Sequence, residues 1–117
     1  MFKIFIKHQE FFNVEERCAI VKKQAGNCDA VILSFPMEGQ DRVFIDIVTC
    51  REGLAEKVEN LLMREELQCY FNNDLAMRFG FDVISLTLSS VHKAKKIARL
   101  VARSLKKADK AKEKALA

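Results

Sequence analysis

The chain has 117 residues, of which 50% are apolar and 31% charged, and carries a formal net charge of +4. That length suits one domain and removes roughly two thirds of the unfolded surface from water, so a core can form without disulfide or metal staples. One Pro, four Gly and nine Phe exclude collagen-like, mucin-like and wholly disordered chains.

Lys3 to Lys7 alternates apolar and non-apolar residues, which predicts a half-buried first strand with Ile4 and Ile6 on one face and Lys3, Phe5 and Lys7 on the other. Asn13 and Glu16 have capping-box spacing, and the stripe Val14, Cys18, Val21 and Ala25 predicts a helix that stops at Gly26. Ala30 to Phe35 and Arg42 to Thr49 are β-branched or aromatic runs around Pro36 and Gly39, an antiparallel hairpin. Thr49 and Glu52 form a second capping box, and Leu54, Val58, Leu61 and Leu62 give a second helix reaching about Gln68.

The stretch from Tyr70 to Asp82 is aromatic and broken by Asn72-Asn73 and Gly80, a turn with a short helical piece. Val83 to Leu88 alternates again as a strand. Ser90 then caps a final helix in which Val91, Ala94, Ala98, Val101, Leu105 and Ala108 make the apolar stripe, with a frayed tail after Lys110. This order predicts an α+β fold, the ferredoxin-like split βαβ sandwich, with a four-stranded antiparallel sheet of strand order 4-1-3-2 and both core helices on one face. Residues 1–90 form the core. Residues 91–117 add a basic amphipathic helix to the same domain.

The other sheet face would then be open. It would carry Lys3, Phe5 and Lys7 beside Arg42, Phe44 and Asp46 on a neighbouring strand, and aromatics flanked by cations suit stacked bases and phosphates of a single strand. Ile4-Phe5-Ile6-Lys7 resembles the opening of the shorter RNP motif of RNA-recognition-motif domains. His8-Gln9 departs from that motif, and Phe44-Ile45 keeps only a fragment of the longer one, without its glycines. The overlap covers about six positions of 117 and assigns no family.

Charge distribution is the stronger signal. Residues 1–90 hold ten Lys or Arg against fourteen Asp or Glu, a net of −4, whereas residues 91–117 hold ten against two, a net of +8. Lys93, Lys95, Lys96, Arg99, Arg103, Lys106 and Lys107 surround the terminal stripe. Lysines in the first turns oppose the helix dipole, so an anionic partner would compensate them.

Cys18, Cys28, Cys50 and Cys69 make no C-x-x-C unit, and His8 and His92 are the only imidazoles, so neither a structural metal nor a cofactor is expected. The N-terminus lacks a signal-peptide pattern and no window approaches ~18 apolar residues. We therefore expect a cytoplasmic chain with reduced thiols and no membrane association. No Walker loop, G-x-G-x-x-G, H-E-x-x-H or G-x-S-x-G occurs, and Asp46 is the one carboxylate placed for catalysis, so the chain reads as a non-enzyme. The functional expectation is a nucleic-acid-binding protein, favouring RNA or single-stranded DNA. The alternative is a protein-interaction module that dimerises or docks through the open sheet face or the terminal helix.

Overall fold

Where each strand can sit is decided by how many of its faces are apolar. In the computed structural model, which describes residues 2–116, the strands are β1 (Ile4–His8), β2 (Ala30–Pro36), β3 (Val43–Thr49), β4 (Tyr70–Phe71) and β5 (Asp82–Leu88), and the helices are α1 (Val14–Gln24), α2 (Leu54–Arg64), α3 (Asn73–Phe79) and α4 (Val91–Leu116). They form one mixed sheet in the order β1-β2-β3-β5-β4. Strand β1 pairs parallel with β2, Ile4 opposite Ala30, and the other pairs are antiparallel.

The α+β class is as the pattern predicts, but the ferredoxin-like order is not. That order would place β1 in the sheet interior, and Lys3 and Lys7 leave it fit only for an edge. The interior position goes to β2, whose run Ala30-Val31-Ile32-Leu33 is fully buried on both faces. Ala30 and Ile32 join Ile45, Ile47, Ile84 and Leu86 in a core under α2 and α4. Val31 and Leu33 join Val48, Val83, Phe79 and Val21 in a second core under α1 and α3. The molecule therefore has three layers, helix, sheet and helix, and the expectation of one open sheet face is overturned.

Local signals explain most element ends. The Asn13 side chain accepts from the Glu16 N–H at 2.8 Å and starts α1, and Asn72 accepts from the Leu75 N–H at 3.1 Å and starts α3. The capping box expected at Thr49 does not form. Thr49 stays in β3, its hydroxyl donating to the Asp82 carbonyl at 3.0 Å, and α2 begins one turn later behind Gly53, whose φ of 80° a side chain would strain. Nor does α2 reach Gln68. Glu66 takes a left-handed conformation at φ 59° and the Leu67 N–H returns to the Leu62 carbonyl at 2.9 Å, closing the helix after Arg64.

Helix α4 is longer than expected, continuing past Lys110 to Leu116. Its 26 residues span about 39 Å against about 23 Å for a seven-residue strand, so its last turns project beyond the sheet. Among the described residues no helix is long and apolar enough to cross a membrane.

Candidate nucleic-acid interface

Ser90 accepts from the Lys93 N–H at 3.1 Å and sets the start of α4. Ala94, Ala98, Val101, Ala102 and Leu105 are buried, and the small side chains of the three alanines let the helix lie close on β2, β3 and β5. Burial of that stripe fixes which side faces water. His92, Lys93, Lys95, Lys96, Arg99, Arg103, Lys106, Lys107 and Lys110 are all exposed on the outer arc. No acid occurs from Val91 to Ala108. The next one, Asp109, turns inward and accepts from Arg51 Nη1 at 3.2 Å, while Arg51 Nη2 also holds Asp29 at 2.8 Å. Among the described residues, none of the outer cations has a carboxylate within 4.0 Å. From Lys93 to Lys107 this unneutralised ridge runs about 21 Å.

The sheet residues expected to assist it lie elsewhere. Lys3, Phe5, Lys7, Arg42 and Phe44 project from the face opposite α4, so helix and sheet do not form one surface. Strand β2 also separates Phe5 from Phe44. Phe5 is half-buried against the α1 core, and Phe44 is half-buried with its ring 5.4 Å from that of Phe35, tilted by 34°. Lys3, Lys7 and Arg42 remain exposed, Arg42 Nη1 lying 3.5 Å from the Thr87 hydroxyl.

Asp46, expected on an open face, is 2% exposed and paired with Arg17 of α1 at 2.7 Å. The Ser85 hydroxyl donates to its other oxygen at 2.7 Å, and Asn72 donates to Ser85 at 3.0 Å. Arg17 also lies over the Phe35 ring at 4.2 Å. Burial pushes the Asp46 carboxyl above its ordinary value of 3.8, while Ser85 and Arg17 pull it back. This chain of bonds ties α1 and the start of α3 to the middle of the sheet and is closed to a substrate.

The four cysteines are free and half-buried, and among the described residues no group of three or more His, Cys, Asp or Glu could hold a metal. Burial, then Cys28 and Asp29, push the Cys50 thiol up to about 11. Its thiolate fraction at pH 7.5 is then at least about 100-fold below that of an ordinary free cysteine. Iodoacetamide should accordingly modify Cys50 about 100-fold more slowly than a solvated thiol, a rate read by peptide mass spectrometry. Equal rates would contradict this burial.

Sequence reasoning missed three residues on α2. Lys57, Asn60 and Arg64 are exposed along the flank that faces α4, and their three- and four-residue spacing was a readable signal. Between the two helices lies a groove of about 550 Å³ floored by Leu61, Leu105 and Ala108. Comparisons with protein-family models, with curated proteins and with solved structures returned no match, so it is the ridge and groove geometry that carries the functional reading.

Proposed function

We propose that this chain is a small, non-catalytic binding protein that holds nucleic acid, RNA or single-stranded DNA, on the outer ridge of α4. The observation that supports this most directly is the run of exposed cations from Lys93 to Lys107, none of which has a carboxylate within 4.0 Å among the described residues. Lys96, Arg99, Arg103 and Lys107 follow one another at three- and four-residue steps and so form a row along the helix. A row of fixed cations displaces counterions from a phosphate backbone, and affinity follows from that release. The apolar stripe of α4 is spent on the core, so the helix has no free apolar face to enter a lipid surface. A cytoplasmic site of action fits such a partner.

About four phosphate contacts on a single strand give a slope near −3 for the logarithm of affinity against the logarithm of salt concentration. Titrating labelled RNA and single-stranded DNA at several salt concentrations should show that slope. Salt-independent binding, or none at low salt, removes the proposal.

The protein-interaction reading is favoured by Phe11 and Met77, which are 90% and 86% exposed. It predicts a purified protein of dimeric mass, free of co-eluting nucleic acid.

A further inference from the structure

Helix α2 presents two differently charged flanks. Lys57, Asn60 and Arg64 face α4, whereas Glu59, with Glu66 just beyond the helix end, borders the cavity beside Tyr70 of β4. The groove between α2 and α4 is thus bordered by Lys57 and Arg64 on one side. On the other side α4 contributes Ser104, Leu105 and Ala108, and its cationic ridge lies on the outer arc beyond them. Its volume of about 550 Å³ lies in the range of sites for small organic ligands, and such sites combine an apolar floor with a few convergent polar groups. Here the floor is Leu61, Leu105 and Ala108 with the Met63 side chain at the rim, 63% exposed, and the polar groups are the Asn60 amide and the Ser104 hydroxyl. A second, smaller cavity of about 270 Å³ shares Lys57, Leu105 and Ala108 and carries the groove on to Lys112.

We propose that this groove seats an unpaired base of a nucleic-acid strand lying along α4. The base packs on Leu61, Met63 and Leu105, its polar edge meets Asn60 and Ser104, and Lys57 and Arg64 take the flanking phosphates. The proposal rests on the nucleic-acid reading of the ridge and adds to it a preference for single strands, because a paired and stacked base cannot leave a duplex to enter a groove without losing its stacking. Charge complementarity selects the occupant: Lys57 and Arg64 line the α2 side of an apolar floor with no carboxylate in the groove lining, and a single strand supplies apolar base faces between anionic phosphates.

The test measures binding of a ten-nucleotide oligoadenylate, alone and annealed in a duplex, by fluorescence anisotropy at 0.1 M salt, with the methionine methyl groups followed by NMR. Wild-type protein should bind the single strand at least about 10-fold more tightly than the duplex, since burying about 60 Å² of base face against Leu61, Met63 and Leu105 is worth about that factor. Its Met63 methyl should shift on titration while Met77 stays in place. Asn60→Trp, at an exposed position that tolerates bulk, should fill the groove and lower single-strand affinity to the duplex level without changing duplex binding. Lys57→Gln with Arg64→Gln should reduce the single-strand salt slope by about 1.4. Equal wild-type affinity for the two forms, or unchanged single-strand binding by both variants, overturns the groove assignment and leaves the ridge standing. Failure of wild-type protein to bind either form at low salt defeats the ridge itself. A Met63 shift produced only by an acidic amphipathic peptide makes the groove a protein seat and also overturns the assignment.

Discussion

Replacing Arg17 by Met should destabilise the folded protein by about 3–5 kcal/mol at pH 7.5, because it leaves the Asp46 carboxylate buried without its counter-charge. Arg17 and Asp46 side chains are only 10% and 3% exposed, so little solvent screening reduces that cost. Set against a total stability of about 5–15 kcal/mol for a domain, the loss brings the variant near unfolding. Its pH dependence identifies the cause. Desolvation already raises the Asp46 pKa, and loss of the guanidinium raises it further. For a carboxyl whose folded pKa exceeds its unfolded value, the neutral folded form is favoured at low pH, and that stability is lost as pH rises through the folded value. The difference from wild type should therefore be smallest near pH 4.5 and grow toward pH 7.5, as read by urea unfolding at each pH. Adding Asp46→Asn to Arg17→Met should flatten that dependence, since a carboxamide cannot ionise. A pH-independent difference under about 1 kcal/mol would mean that Arg17 does not neutralise Asp46.

The second large effect concerns binding. Changing Lys95, Lys96, Arg99 and Arg103 together to Gln should cut affinity for a single strand by about two to three orders of magnitude at 0.1 M salt. The figure follows from the counterion slope of about −0.7 per phosphate, multiplied by four contacts and carried down from a 1 M reference. All four positions are exposed, and Gln is nearly as good a helix former as Lys or Arg, so the fold should persist. Removing lysines near the start of α4 also relieves their repulsion from the helix dipole, so unfolding measurements should show unchanged or slightly higher stability. The affinity loss should be uniform across base sequences, because a cation on a phosphate reads no base. A variant that binds as tightly as wild type would place the interface away from the ridge.

The two expectations also separate local from long-range information in the chain. Helix α1 was legible because Asn13 and Glu16 sit at capping spacing before an apolar stripe, and α4 because Ser90 precedes apolar residues at three- and four-residue steps. The cationic arc of α4 was legible for the same reason: once the stripe is known, the remaining positions must face water. The start of α2 was not, because Thr49 and Glu52 satisfy the spacing of a cap while Thr49 is held in β3 by the Asp82 carbonyl. Strand β4 has two residues, too few for any period to show.

By itself, the sequence determined the α+β class, the hairpin of β2 and β3, the helix α4 and the asymmetry between an acidic body and a basic end, since each depends on neighbours within a few residues. Tertiary structure alone decided that β1 lies at the edge, that Asp46 is neutralised by Arg17 from 29 positions away, and that α2 and α4 enclose a groove. A doubly apolar strand such as β2 fits either phase of a sheet, and only the competition among strands for the two buried faces settles which residues look outward.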